Sequence, residues 1–258
     1  MKKEMIFGLA ALFFMTLSIT GVYASENKNK WVTISKENLD VTGDGKEDII
    51  ELKGIPYQEE DQFLKEIQLH IAASNGKKYE AEFEGGLNPH VQFLDLNHDE
   101  VKDMFVSVET GGSGGITNHY LYTLKDFKLT DVTVPDPLVI NGQFHNGYKA
   151  SITIQETGKS VTFDLRNRGA DYEKSGLFIN GKLSEPTELM VDAYSVLKPV
   201  TMGGEKYKLI GIQSISGAHH TDWIANVEST WIYENGKWRL KDTKIMDGTV
   251  RSKKKTRH

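Results

Sequence analysis

Two acidic stretches of nine residues each, 40–48 and 95–103, contain the side chains with the clearest chemistry in this chain. Each has oxygen-bearing side chains at positions one, three, five and nine, and position seven can supply a backbone carbonyl. Ca²⁺ requires about six to eight hard oxygen ligands at roughly 2.3–2.6 Å. The predicted ligands are Asp40, Thr42, Asp44, the Lys46 carbonyl and Asp48 in the first stretch, and Asp95, Asn97, Asp99, the Val101 carbonyl and Asp103 in the second.

The ligand types narrow the choice of ion and of loop. Neither stretch offers a soft ligand, which disfavours zinc and copper, and Mg²⁺ prefers octahedral geometry and its own waters. A helical EF-hand needs an acid at position twelve, where the first stretch has Glu51 but the second has Val106. Short apolar segments follow both stretches, so we expect loops that lead directly into strands.

An ordinary solvated turn is the alternative interpretation of each stretch, because Asp and Asn favour turns in any case. The repetition of the pattern in the same frame favours calcium. Position six usually needs a positive φ and therefore glycine, and the first stretch has Gly45 there whereas the second has Glu100. We therefore expect the second site to be distorted or weaker than the first.

The loop pattern D-x-[DNT]-x-D-x-x-x-D before an apolar strand resembles the FG-GAP/VCBS-type calcium repeats of secreted bacterial proteins. The continuation through residues 106–115 and 118–122 is similar to a Gram-positive secreted family that carries such repeats. The resemblance implies Ca²⁺ as the bound ion and a propeller-like array of small sheets. It implies no activity, because the function of that family is uncharacterised.

Catalysis is the competing functional hypothesis, and no residue is assigned a catalytic role from the sequence. Residues 111–115 match G-x-S-x-G, but that motif needs a following helix, and residues 120–122 are typical of a strand. Residues 195–198 match S-x-x-K without its partner motifs.

His219 and His220, close to Asp222, are the remaining candidates for a base or a metal site, although such a cluster is more often a polar loop. The alternative function is therefore a secreted envelope- or glycan-directed hydrolase or lyase with structural calcium. Substitution of Ser113, His219 and His220 would distinguish it from a binding module.

The elements that must position these loops are predicted to be almost entirely strands. Turn signals such as Asn75-Gly76 and Asn235-Gly236 separate segments rich in β-branched and aromatic residues. The acidic stretches are offset by 55 residues, since 95 minus 40 is 55. This spacing predicts an all-β, propeller-like array of about four small antiparallel sheets, with a β-sandwich as the alternative. Residues 188–196 are the single stretch predicted to be helical.

The chain ends suggest where the protein works. Residues 1–24 have the charged start, apolar run and small-residue cleavage site of a secretory signal peptide, and we expect a secreted protein without a transmembrane anchor after cleavage. Residues 25–30 are a predicted linker, residues 31–246 the calcium-binding β-repeat domain, and residues 247–258 a basic, disordered tail.

Composition excludes some partners and suggests others. The 258 residues include no Cys and carry a formal net charge of −5, so a thiolate site is excluded and general affinity for nucleic acid is not expected. The expected role is an extracellular binding or structural module at the cell surface. Its partner would be an unknown extracellular protein or a surface glycan, and the basic tail would make weak contact with anionic wall polymers.

Overall fold

A computed structural model describes residues 30–58, 60–204 and 206–248. The predicted signal peptide, all but the last residue of the predicted linker and all but residues 247 and 248 of the predicted tail lie outside these ranges. The described strands are β1 (Val32–Leu39), β2 (Asp48–Pro56), β3 (Leu64–Ala72), β4 (Lys78–Leu94), β5 (Asp103–Glu109), β6 (Thr117–Thr123), β7 (Thr130–Asp131), β8 (Ile140–His145), β9 (Lys149–Ile154), β10 (Ser160–Asp164), β11 (Phe178–Ile179), β12 (Lys182–Leu183), β13 (Met190–Gly203), β14 (Lys206–Ser216), β15 (Trp223–Glu234) and β16 (Lys237–Asp247).

Helical structure is limited to short pieces. Two 3₁₀ turns span Lys125–Phe127 and Arg166–Arg168, and one six-residue α-helix, α1, spans Gly169–Lys174. Among the described residues, no helix has the length and apolar character needed to cross a membrane. The predicted all-β class is therefore confirmed.

The strands form antiparallel sheets in chain order. β1 to β7 make a seven-stranded meander, β8 to β10 a three-stranded sheet, β11 and β12 a two-stranded ribbon, and β13 to β16 a four-stranded meander. Within the described ranges these sheets are open and are not closed into a propeller. The arrangement accommodates either a set of open sheets or a sandwich, so the blade count stays a prediction.

Strand β4 belongs to two arms of the seven-stranded sheet. Its residues up to Gly86 pair with β3, whereas those from Leu87 onward pair with β5, and the second pairing shifts register between Leu87 and His90. A Cβ on Gly86 would overlap the carbonyl oxygen of Glu109, so only glycine allows the two backbones to approach this closely. Each arm therefore has four strands and contains one acidic loop between its first two strands.

Three clusters of buried side chains hold the sheets together. The first arm and its neighbours bury Val41, Leu52 and Leu69 in one core, and the C-terminal half buries Phe163 and Phe178 in another. The third cluster joins the seven-stranded sheet to the four-stranded sheet through Leu96, Phe105, Leu121, Tyr194, Leu197 and Leu209. Each acidic loop thus contributes its second residue, Val41 or Leu96, to a core.

The prediction of a helix at residues 188–196 is wrong. Residues from Met190 onward form β13, which pairs with β14 through Met190 opposite Ser216 and Leu197 opposite Gly211. Burial alternates at Asp192 and Tyr194 as a strand requires. The helix-forming side chains in this stretch are overruled by β-branched Val191 and Val196 and by tertiary pairing, because propensity is weaker than packing.

Residues 120–131 and 231–242 are similar in sequence, but their strands are not paired in the same way. In the C-terminal hairpin Tyr233 is opposite Trp238 across the turn at Asn235 and Gly236. The corresponding Tyr122 is opposite Asp131, and a 3₁₀ turn fills the space between. The similarity therefore reflects shared hairpin composition rather than a repeated register.

The close approach of Gly86 to Glu109 gives a first testable prediction. Gly86→Ala should lower the free energy of unfolding by about 1–3 kcal/mol, because the new methyl group has no space beside the Glu109 carbonyl. Chemical denaturation measures the change. Gly112→Ala is the control, since a Cβ there meets nothing closer than 3.8 Å and its φ is not positive. Equal stability of the two variants would contradict the close approach.

Candidate metal-binding loops

Both acidic stretches are hairpin connections of the same length. The first leaves β1 at Leu39 and enters β2 at Asp48, and these two residues are paired. The second leaves β4 at Leu94 and enters β5 at Asp103, which are paired in the same way. The prediction that each loop leads directly into a strand is confirmed.

The first-position carboxylate organises each loop from inside. Asp40 Oδ2 accepts a hydrogen bond from the amide of Gly45 at 2.7 Å, and Asp95 Oδ2 accepts one from the amide of Glu100 at 3.0 Å. The two contacts join position one to position six in both loops. The chain therefore curls around the carboxylate, which is the local geometry that a loop must have to surround an ion.

The ninth-position carboxylate closes each loop by accepting a hydrogen bond from the amide at position two. Asp48 Oδ2 accepts from the Val41 amide at 3.0 Å, and Asp103 Oδ2 accepts from the Leu96 amide at 2.9 Å. Both carboxylates are fully buried, with 0% of their surface exposed. The hydrogen bond between position nine and position two is thus present in both loops.

The fifth-position carboxylate also accepts the same backbone hydrogen bond in both loops. Asp44 Oδ1 accepts from the Lys46 amide at 2.9 Å, and Asp99 Oδ1 accepts from the Val101 amide at 3.0 Å. The residues predicted to offer carbonyls at position seven are therefore held by their own amides to position five.

The third-position side chains lie between acidic groups. Thr42, which is 2% exposed, places its hydroxyl 3.2 Å from Asp40 Oδ1 and 3.3 Å from Asp44 Oδ1. In the second loop the Asn97 amide nitrogen is 3.1 Å from both Asp99 Oδ2 and Asp103 Oδ1. A proton donor therefore occupies the space between carboxylates that a cation would share.

The backbone conformation at positions four and six is left-handed in both loops. Gly43 and Gly45 have φ of 79°, and the corresponding His98 and Glu100 have φ of 61° and 72°. The second loop therefore adopts the glycine conformation without glycine, which costs about 1–2 kcal/mol per residue. The sequence predicts a distorted or weaker second site, but the two loops share the same left-handed conformation at these positions, and the weaker affinity stays a prediction.

The electrostatics of the two loops differ. Burial, followed by the like charges of Asp99 and Asp95, raises the pKa of Asp103 to about 7, and amide hydrogen bonds from Leu96 and Asn97 only partly offset this. In the first loop burial also acts to raise the pKa of Asp40, but amide hydrogen bonds led by that of Gly45 outweigh it and lower the pKa. The second loop thus concentrates negative charge that is not fully compensated.

Two residues outside the acidic stretches complete the loops, and sequence analysis missed both. Ser74, between β3 and β4, donates from its hydroxyl to Asp44 Oδ2 at 2.8 Å and from its amide to Asp48 Oδ1 at 2.8 Å. Lys125 donates to the Asp99 carbonyl at 2.6 Å, and its ammonium lies 3.8 Å from Asp99 Oδ2. Neither contact has a local signal, since the partners are at least 26 residues apart.

Carboxylates alone do not form a metal cluster here. In the part of the chain that the structure describes, no group of three or more His, Asp or Glu side chains is arranged to hold a metal ion. The fit therefore depends on the mixed donor set, in which Thr42 or Asn97 and backbone carbonyls join the acids. Such mixed oxygen sets are usual for Ca²⁺, which accepts hydroxyl, amide and carbonyl oxygens with carboxylates.

The glycine-rich segment 111–115 lies at the other end of β5 and meets a pair that the sequence analysis only partly identified. His220 Nδ1 is 3.3 Å from Asp192 Oδ2. A Cβ on Gly114 would lie 3.0 Å from Asp192 Oδ1 and 3.4 Å from His220 Cε1. Asp192 was missed because its stretch was predicted to be a helix.

A second polar cluster supports the His220 loop. Asp222 accepts hydrogen bonds from Arg168 Nη1 at 2.5 Å and from the Tyr172 hydroxyl at 2.7 Å. Its backbone amide donates to the His219 carbonyl at 2.8 Å. His219, His220 and Asp222 therefore do not form one cluster. Asp222 holds the loop in place, whereas His220 faces Asp192.

The left-handed position gives a second prediction. Glu100→Gly should raise the free energy of unfolding by about 0.5–1 kcal/mol, because about 1–2 kcal/mol of strain is relieved and part is lost to the greater freedom of unfolded glycine. Denaturant titration in calcium-free buffer measures the change. Glu47→Gly, an exposed loop position without a positive φ, should be destabilising, and a gain in stability there would contradict the account.

Comparison with known proteins links the C-terminal part of the chain to other proteins. Residues 138–246 match a family model described as the YybI C-terminal domain. The chain is also similar to the uncharacterized protein YybI of Bacillus subtilis (strain 168), with 28% identity over 149 residues. That match covers 56% of this chain and 57% of the relative, so the chain spans little more than half of the relative's length.

A solved structure also shares weak similarity with the chain. The crystal structure of the exotype rhamnogalacturonan lyase YesX matches with a TM-score of 0.36 and 13% identity, covering 84% of this chain and 33% of that protein. A score of that size establishes neither a common fold nor a common activity. The family match to residues 138–246 includes Asp192 and His220 but neither acidic loop.

Proposed function

We propose that the chain is a secreted calcium-binding β-repeat protein that acts as an extracellular binding or structural module at the cell surface. The observation that carries the proposal is the agreement between two hairpin loops. Each joins position one to position six, position five to position seven and position nine to position two through carboxylate–amide hydrogen bonds. Each also holds its third-position side chain between acidic groups.

The donor set fits a hard cation. In the first loop the ion would be held by Asp40, Thr42, Asp44, the Lys46 carbonyl and Asp48, and in the second by Asp95, Asn97, Asp99, the Val101 carbonyl and Asp103. A bound divalent ion would neutralise the acidic groups and cross-link the two strands of each hairpin. The chain's own residues curl the backbone and keep the oxygens close before the ion arrives.

The two sites should differ in affinity. The first loop has glycine at both left-handed positions, and its third-position hydroxyl already lies 3.2–3.3 Å from two carboxylate oxygens. In the second loop Asn97 presents its amide nitrogen to the acids and Lys125 lies beside Asp99. Binding there requires the amide to turn its oxygen inward and the ammonium to move, so we expect the first loop to bind more tightly.

The competing interpretation is a pair of self-capped turns, in which backbone amides alone satisfy the carboxylates. It accounts for the observed hydrogen bonds, but it leaves the repulsion of Asp103 by the like charges of Asp95 and Asp99 without a counter-charge. The resemblance to secreted calcium-repeat proteins and the expected signal peptide support an extracellular location for the protein. The proposed partner is an extracellular protein or a surface glycan, and a secreted hydrolase or lyase with structural calcium is the second candidate, favoured by the placement of His220 beside Asp192.

Calcium binding is the third prediction. Calorimetric titration of the purified chain with CaCl₂ should show binding with Kd about 10⁻⁴–10⁻³ M, in the range of extracellular calcium modules. At ten times Kd each site should add about 1.4 kcal/mol to the free energy of unfolding. Mg²⁺ should substitute poorly because it demands octahedral geometry.

Matched variants assign the binding to the loops. Asp40→Ala should remove the tighter site and Asp95→Ala the weaker one, whereas Asp61→Ala, an exposed acid outside both loops, should leave the titration unchanged. A wild-type chain that takes up no calcium at 10 mM, on the order of ten times the weakest expected Kd, would refute the proposal and leave self-capped turns.

The pH dependence of stability is the fourth prediction. The pKa of Asp103 is raised to about 7 in the folded protein from an ordinary value of 3.8. The folded state therefore holds a proton that the unfolded state has released, so the stabilising contribution is complete below pH 3.8 and is lost as the pH rises through 7. Calcium favours the ionised form and should abolish this loss.

The titration of His119 changes the stability with pH in the opposite direction, so its effect must be separated from that of Asp103. Burial lowers its pKa to about 4 from 6.5, so its contribution is present above pH 6.5 and is lost as the pH falls through 4. Asp103→Asn removes only the first effect. The stability of wild type relative to this variant, measured by denaturation without calcium, should fall between pH 4 and 7.5 (from the ordinary value of Asp to above the folded pKa), and parallel profiles would contradict the assignment.

A further inference from the structure

We propose that Ser113, His220 and Asp192 form an ester-hydrolysing site at the end of β5 opposite the acidic loop. The three residues come from the glycine-rich segment 111–115, the β14–β15 connection and β13. The site lies about 20 Å from Asp103, at about 3.3 Å per strand residue. It is therefore independent of the calcium proposal.

The first support is the orientation of the imidazole. Asp192 has 9% of its side chain exposed, and its Oδ2 is 3.3 Å from His220 Nδ1. A hydrogen on Nδ1 facing this carboxylate leaves the lone pair on Nε2, and 29% of the His220 side chain is accessible. A buried acid that fixes the tautomer of a partly exposed histidine is the arrangement that a general base needs.

The second support is the rigidity of the loop that presents His220. The Ser216 hydroxyl donates to the His220 carbonyl at 3.0 Å. Asp222, two residues further on, is fixed by Arg168 and Tyr172 and donates through its amide to His219. The imidazole is therefore held from both sides of the turn, as a positioned base requires.

The third support is the glycine-rich segment itself. Gly114 passes so close to Asp192 and His220 that a side chain there would press on both, and Ser113 is the exposed residue next to it. Within the described ranges, no hydrogen bond engages the backbone amides of Gly112, Ser113 and Gly114. Free amides beside a hydroxyl are the donors that stabilise a developing oxyanion.

The negative charge on Asp192 indicates whether the substrate of this site is anionic or neutral. A carboxylate this close to the loop opposes a permanently anionic ligand. It stabilises the imidazolium that forms only while a proton is in transit, so a neutral ester is the better substrate. A cleft of about 280 Å³ is lined by Ile116, Thr117 and Ala193 among others, which follow the glycine-rich segment and Asp192 in the chain. This volume is below the roughly 300–1,000 Å³ of drug-sized sites.

The reaction balances without a cofactor. His220 Nε2 takes the Ser113 hydroxyl proton as the oxygen bonds to the ester carbonyl carbon, and the free amides stabilise the oxyanion. The carbon–alkoxy bond breaks, and the imidazolium returns the proton to the departing alcohol. Water then adds to the acyl-serine with His220 as base, and the acyl–Oγ bond breaks as Ser113 regains a proton. An ester and water give an acid and an alcohol.

Ser113 does not hydrogen-bond to His220 in this structure, so the loop must turn the hydroxyl toward Nε2 when substrate binds. Catalytic hydrogen bonds are often long in the absence of substrate. The segment is bounded by Gly111 and Gly115, whose φ values of 77° and 63° lie in the left-handed region that favours glycine.

The test uses a fluorophosphonate probe and p-nitrophenyl acetate with the purified full-length chain. The probe should label Ser113, as located by peptide mass spectrometry, and labelling should be lost in His220→Gln. Hydrolysis should fall by about 10²–10⁴-fold in Ser113→Ala and in His220→Gln. Ser184→Ala, another exposed serine, is the control and should behave as wild type.

Asp192 is a positioning residue and needs its own readout. Asp192→Asn should lower kcat with little change in KM, and Asp192→Glu should recover part of the loss, whereas a merely structural role would lower the folded fraction. Circular dichroism verifies folding of each variant. Absence of label at Ser113, label that persists in His220→Gln, or wild-type hydrolysis no faster than that of Ser113→Ala would each overturn the proposal. Calcium binding is not affected by any of these outcomes.

Discussion

A buried carboxylate at the start of a strand is the interaction on which the N-terminal half of the structure depends. Asp48 and Asp103 are both fully buried, and each accepts the amide of the loop's second residue. Burying an ionised acid is costly unless hydrogen bonds or a counter-charge compensate it. The loop provides the hydrogen bonds while its other acids add negative charge, which is the charge that the proposed calcium ion would balance.

The two loops pack against different hydrophobic cores. Val41 packs in a core that both arms of the seven-stranded sheet share, whereas Leu96 packs in the cluster that joins the seven-stranded sheet to the four-stranded sheet. Ordering of the second loop is therefore coupled to the junction between the two sheets, and ordering of the first loop is coupled to the core between the two arms of the seven-stranded sheet. The proposed ester site is anchored across the same junction, since Gly114 comes from one side and Asp192 and His220 from the other.

The sequence was sufficient for features encoded locally. The oxygen positions of the acidic loops, the strands that follow them and the special conformation at Gly45 and Glu100 all follow from short patterns. Contacts that join distant segments were not accessible, as shown by Ser74 at Asp48 and by Lys125 at Asp99. Asp192 was missed for a related reason, because pairing of β13 with β14 overrides a helical propensity that periodicity alone cannot correct.

Calcium binding by the first loop is best checked by a crystal structure of the chain grown in millimolar CaCl₂, with anomalous diffraction to identify the ion. We expect an ion about 2.3–2.6 Å from oxygens of Asp40, Thr42, Asp44 and Asp48, with the Gly45 backbone conformation unchanged. A well-ordered first loop without an ion, in which the carboxylates are bound by backbone amides alone, would contradict it.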